Sequence, residues 1–78
     1  MTNVREYTAS KLRGLRAEKD MSVEEVASKI NIHKDTIRRY ENQTTQITLD
    51  KLEELLDFYG ADFNTFFRDY NKKHNIEE

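Results

Sequence analysis

Between Met21 and Glu41 lie two short apolar stripes, each with its own start signal, separated by a single break. That arrangement restricts this part of the chain to a tightly turned pair of helices. Ser22 can cap the first while Glu25, three residues on, reaches back to the cap, and Met21 and Val26 can staple across it. Val26, Ala27 and Ile30 then share one face, with Glu24, Glu25, Ser28 and Lys29 opposite. Asn31 falls where the chain must reverse, and asparagine accepts the left-handed conformation more readily than any residue but glycine. The second helix is predicted from Lys34 to Glu41. At about 100° per residue, Ile37 and Tyr40 point inward and Lys34, Asp35, Arg38 and Arg39 are left outside.

The flanking segments read as helices too. Asn3 to Glu6 offers a capping box for a helix reaching about Lys19, with Val4, Leu12 and Leu15 as its apolar stripe. Gly14 weakens it by about 1 kcal/mol relative to alanine. A polar linker from Asn42 to Ile47 follows the central pair. Thr48 then caps a helix with Leu49, Leu52, Leu55, Leu56 and Tyr59 on one face, ended by Gly60. A last helix starts near Asp62, with Phe63, Phe66, Phe67 and Tyr70 at spacings of three and four. The polar residues from Asn71 to Glu78 are expected to fray. The expected architecture is all-α, a compact five-helix bundle forming one domain over residues 1–70 with a polar tail over 71–78.

Composition narrows the function classes. The chain has 78 residues and no cysteine, so neither a disulfide nor a thiolate metal site supports it. With 36% charged residues, 36% hydrophobic and no proline, it reads as a soluble helical protein. No apolar run nears the roughly 20 residues that span a bilayer, and no signal-peptide segment is evident, so no membrane role and a cytoplasmic location are expected. There is no glycine-rich phosphate loop, no HExxH and no cysteine nucleophile, and an enzyme is not expected. Asp50, Glu53, Glu54 and Asp57 read as a solvated acidic face, because nothing supplies a chelating loop. Neither metal nor cofactor is expected. Residues 1–40 carry nine Lys/Arg against six Asp/Glu, and residues 41–78 four against nine. The basic half therefore suits a polyanion.

The ordered set of these features resembles the lambda-repressor and Cro-like family, often called the XRE family. The resemblance runs from about Lys11 to Phe67. It rests on Leu12, Arg13 and Arg16; on Met21-Ser22, Glu24-Glu25 and Val26-Ala27; on Ile37, Arg39, Tyr40, Glu41 and Asn42; and on Leu49, Leu52 and Leu55. It implies a lambda-repressor-like bundle whose second and third helices form a helix-turn-helix that reads double-stranded DNA. It also implies a salt bridge between Arg16 and Glu41 that fixes the reading helix to the first helix.

By the same resemblance, Lys34 and Arg39 take base-reading positions; either side chain suits the acceptors on guanine. Asp35 either accepts from cytosine or complements the helix dipole. Thr36 and Asn42 are expected on phosphate, Arg38 on phosphate or in solvent, and His33 at the phosphate edge. The chain also departs from the family pattern. Val23 stands where glutamine contacts phosphate, Asn31 replaces the turn glycine, His33 the usual hydroxyl cap, Gln43 a glycine, and Ile47 a proline. The linker from Gln43 to Gln46 has no basic residue, which should weaken phosphate binding.

Phe58, Phe66 and Tyr70 look like more apolar surface than so small a domain hides, so they are expected to form a homodimer contact. A dimer would set two reading helices about 34 Å apart on an inverted repeat. Phe63 and Phe67 are expected to close the core. The function implied is a repressor that occludes polymerase from its operator. The alternative is a protein-interaction module on the same fold, an antitoxin or adaptor whose protein partner docks on the C-terminal half.

Overall fold

The computed structural model describes residues 3–42 and 46–74, with side chains for 3–42 and 46–70. The described residues form α1 (Val4–Glu18), α2 (Val23–Ile30), α3 (Lys34–Glu41), α4 (Leu49–Tyr59) and α5 (Phe63–His74), and contain no strand. Residues 43–45, to which the departure at Gln43 and most of the linker belong, lie outside them, as do residues 75–78 of the expected tail.

Each start signal works through a short side chain that accepts from an otherwise unpaired first-turn N–H. Asn3 Oδ1 accepts from Glu6 N at 2.9 Å, and Thr48 Oγ1 from Lys51 N at 3.2 Å. Ser22 and Glu25 form the complete reciprocal box, with Glu25 N donating to Ser22 Oγ at 3.1 Å and Ser22 N to Glu25 Oε1 at 2.9 Å. Asp62 Oδ1 accepts from Thr65 N at 2.7 Å, and that N–H holds the Asp62 carboxyl below its ordinary pKa. Two helices stop as expected, with Asn31 at φ 57° and Gly60 at φ 77°. Asp20 also adopts a positive φ of 56°, between α1 and α2, where no sequence signal marked it. The last helix continues past Asn71 to His74, since neither proline nor glycine interrupts that segment and cations suit a helix C-terminus.

One core joins all five helices. Leu12, Val26, Ile37, Leu52, Leu55, Leu56, Tyr59 and Phe66 are buried around one another, with Tyr7 at its edge. Burying each such side chain stabilises the fold by roughly 1.5–3 kcal/mol.

Four apolar expectations are corrected. Val4 and Leu49 are 49% and 74% exposed, because each is the first residue of its helix and projects beyond the end of the core. Phe63, first in α5, is 37% exposed and does not close the core. Phe66 does the opposite. It is 2% exposed, and its backbone carbonyl accepts from the Tyr7 hydroxyl at 2.7 Å, so its ring has no surface left for a second copy.

Candidate nucleic-acid interface

α3 is positioned from its C-terminal end. Glu41, the last residue of α3, is buried although charged. Arg16 meets it in a two-pronged pair, Nε to Oε2 and Nη2 to Oε1, each at 2.9 Å. The third arm of the same guanidinium, Nη1, donates to the Met21 carbonyl at 3.0 Å, just before the α2 cap. One arginine thus ties α1 to the start of α2 and the end of α3. The hydrogen bonds to Glu41 push the Arg16 pKa above its already high ordinary value. Arg13, one turn earlier on α1, donates to the Glu41 carbonyl. It satisfies a terminal acceptor of α3 and sets a positive charge against the negative end of the helix dipole. The sequence matched Arg13 to the family pattern without a role; its spacing of three from Arg16, on one face of a helix, was the available signal.

The outer face of α3 is open to solvent. Lys34, Asp35, Arg38, Arg39 and Asn42 are exposed, His33 is exposed just before the helix, and Thr36 is half-buried. His33 caps the helix, with Nδ1 accepting from Asp35 N at 3.1 Å. That bond requires an unprotonated Nδ1. Asp35 does not stand alone, since Arg38 Nη1 donates to its Oδ1 at 3.2 Å. Arg38 Nη2 also reaches back to Glu24 on α2. The Glu24 carboxyl lies below its ordinary pKa, first because it accepts from its own backbone amide and then because of the Arg38 charge. Arg38 is therefore a strut between α2 and α3 as well as a surface cation. Nothing in the local pattern marks this pairing, because its partners stand 14 residues apart.

These side chains form a coherent polar surface of mixed sign, with Lys34, Arg38 and Arg39 set against Asp35 and Glu24. Such a surface can donate to base acceptors and phosphate oxygens, and accept from a base amino group at Asp35. Phe58 and Tyr70, the remaining aromatics expected at a dimer contact, are half-buried and pack against the core. Tyr70 lies 5.2 Å from Tyr7 between ring centres, and Phe58 stands edge-on to Tyr59 at 5.3 Å.

Two short helices across a left-handed asparagine turn, the second pinned at its end and solvent-exposed on its basic face, define a helix-turn-helix protein. The helix-turn-helix family model matches residues 12–66, and the chain belongs to that family. It is similar to the cryptic phage CTXphi transcriptional repressor RstR of Vibrio cholerae, with 39% identity over 70 residues that cover 90% of this chain and 61% of the relative. The chain thus spans less than two thirds of that relative's length. No solved structure gives a significant match. No described helix is long and apolar enough to cross a membrane.

Proposed function

We propose that the chain is a cytoplasmic transcriptional repressor without enzymatic activity, binding an inverted-repeat operator in double-stranded DNA as a homodimer. The observation that carries this reading is the solvent-facing side of α3, held at its far end by Arg13 and Arg16. A rigidly placed helix can enter the major groove in one register, which is what sequence reading requires. The likeness to a phage repressor supports the sign of regulation. Lys34 and Arg39 read guanine edges, and Asp35 stands next to them as an acceptor for a cytosine amino group. His33, Thr36 and Asn42 contact phosphate, joined by Arg38 when it turns from Glu24. The bound dimer blocks polymerase by occupying its site.

Selection from a randomised duplex pool tests this, run in parallel on a variant carrying Lys34→Ala and Arg39→Ala. Wild-type protein should enrich an inverted repeat, and the variant should lose that preference while remaining folded. Each base contact removed should cost about 1–3 kcal/mol of discrimination. Enrichment of nothing by the wild type would sink the proposal and turn attention to a protein partner.

A further inference from the structure

Two side chains bracket the carboxylate of Asp35. Arg38 donates from Nη1 to Oδ1 at 3.2 Å, while Oδ2 lies 3.8 Å from Nδ1 of His33, too far for a hydrogen bond. That same Nδ1 accepts from the Asp35 amide at 3.1 Å. A ring nitrogen that accepts carries no proton, so the neutral imidazole keeps its proton on Nε2. Nδ1 and Oδ2 then lie side by side as two acceptors, on an Asp35 side chain that is 55% exposed. A serine or threonine cap has no second protonation state. A histidine cap has one.

We propose that His33 decides whether Asp35 can read a base. The inference rests on the DNA-reading face of α3 argued above and names the residue that controls one of its acceptors. With the ring neutral the cap holds, Nε2–H is the donor for phosphate, and Oδ2 accepts from a cytosine amino group. Protonation puts a hydrogen on Nδ1. The Asp35 amide then loses its acceptor, and Nδ1–H turns to Oδ2 in a charge-assisted bond that a small rotation of the carboxylate completes. Both oxygens are now held by cations, and the base amino group meets a neutralised acceptor. α3 keeps its start, because Thr36 N and Ile37 N still donate to the His33 carbonyl at 3.0 and 3.2 Å. The change therefore falls on base reading and not on the fold. Imidazole is the side chain whose charge changes between about pH 5 and 8. Of the charged groups on the two helices that meet at His33, Asp35 favours the charged ring, while Lys34, Arg38 and the positive end of the α3 dipole oppose it, as does Lys29 in the last turn of α2. Glu24 is engaged by Arg38 and Glu25 by the Ser22 amide, and Arg39 and Glu41 stand in the far half of α3. A phosphate on Nε2 adds to the attraction, so operator binding takes up protons. Lysine and arginine stay charged across that pH range, which leaves the pairs read by Lys34 and Arg39 unaffected.

Selection repeated with Asp35→Ala identifies the base pair that Asp35 reads, as the position whose preference relaxes. Affinity for the selected repeat, relative to the same repeat changed at that pair, is then measured at about pH 8 and about pH 5.5 for wild type and for His33→Ser, which keeps a cap without a titrating group. Wild-type discrimination at that pair should fall roughly five-fold or more at the lower pH and stay unchanged at the pairs read by Lys34 and Arg39. His33→Ser should discriminate equally at both pH values, although its overall affinity falls with the lost phosphate contact. An NMR titration of the free protein gives a readout without DNA, in which the Asp35 amide should move together with the His33 imidazole. An Asp35 amide indifferent to His33, wild-type discrimination that does not change with pH, or a fall that His33→Ser shares would each overturn the proposal. A repeat in which no pair depends on Asp35 would overturn it while leaving the repressor reading intact. Enrichment of no repeat by the wild type would overturn the underlying reading, and this inference with it.

Discussion

Around α3 the structure is held by guanidinium groups, and around α5 by rings. Arg16 makes three hydrogen bonds, two to the end of α3 and one to the turn before α2, and Arg13 joins it at the end of α3. At the other end of the chain, Phe66 sits edge-on to Tyr7 at 6.1 Å and to Phe67 at 4.9 Å, the Tyr7 hydroxyl donates to the Phe66 carbonyl, and an exposed Lys11–Asp69 ion pair lies outside the rings. Ring packing tolerates small rotations, whereas a two-pronged guanidinium–carboxylate pair fixes an angle. The helix proposed to enter DNA in one register is held by the directional interaction. The helix that needs only to cover a core is held by the adaptable one.

The largest expected effect breaks the polar side of this comparison. Glu41→Ala leaves Arg16 as an uncompensated cation whose side chain is only 22% exposed, and should destabilise the fold by about 3 kcal/mol, with the full cost moderated by that residual exposure. Replacing both residues together, Arg16→Met with Glu41→Leu, should cost less than the single change. Urea unfolding of the three variants decides between them. A double variant no more stable than Glu41→Ala would mean that the pair contributes net stability rather than orientation. Even a stable double variant should lose operator discrimination, because α3 would keep its burial without its angle.

Two buried tyrosines sharpen the comparison from the aromatic side. The Tyr7 hydroxyl is hydrogen-bonded, so Tyr7→Phe should cost about 1 kcal/mol. The Tyr59 hydroxyl is buried with no hydrogen-bond partner, so Tyr59→Phe should be neutral or stabilising. Desolvation, aided by the Glu41 charge, pushes the Tyr59 phenol up to about 12 from an ordinary 10.0. Between those values the unfolded chain has released a proton that the native state still holds, so unfolding gains favour as pH rises. The stability that Tyr59 contributes is intact below about pH 10 and is lost on the way to pH 12. Thermal melts across that window should fall less steeply for Tyr59→Phe than for wild type, and parallel curves would refute the assignment.

A smaller effect concerns the scaffold beneath both regions. Nothing lies within 4 Å of where a Cβ at Gly14 would stand, and the residue is in the middle of α1. Gly14→Ala should therefore raise stability by about 0.5–1 kcal/mol. Gly60 has equally open surroundings but sits at φ +77°, so the same substitution there should destabilise. If both changes act in the same direction in chemical denaturation, backbone conformation does not separate these sites.

The parts legible in the sequence are those fixed by neighbours along the chain. The caps at Asn3, Ser22 and Thr48, the reversal at Asn31 and the bounds of α3 depend on residues within four positions of one another. The Arg16–Glu41 pair lay beyond that range and was reached only through the family resemblance. Val4, Leu49 and Phe63 were misread because periodicity tells which face of a helix is apolar, not where the helix end lies relative to the core. Phe66 was misread because four aromatics spaced by three and four define a broad stripe, and the Tyr7 hydrogen bond, 59 residues distant, selects the ring that turns inward. The spacing that left Lys34, Asp35, Arg38 and Arg39 on the outer face of α3 agrees with their exposure, but the Arg38 strut to Glu24 needs the two helices brought together.

That strut yields the smallest predicted effect and the one closest to function. Arg38 is shared between Asp35 and Glu24, and in the proposed complex each carboxylate would compete with DNA phosphate for the same guanidinium. Removing one competitor without shortening the side chain, by Glu24→Gln, should raise DNA affinity about three-fold and steepen the dependence of log affinity on log salt by about 0.9, the slope of one phosphate contact on duplex DNA. Neutralising an acid near a polyanion also helps non-specifically, so the measurement is a cycle that includes Arg38→Ala and the double variant. In the Arg38→Ala background the Glu24→Gln gain should largely vanish. A gain that persists there would show that Glu24 acts through its field and not by holding Arg38. A loss of affinity on Glu24→Gln would show that the strut orients α3, which would extend the directional fixing of the reading helix from its C-terminal end to its middle.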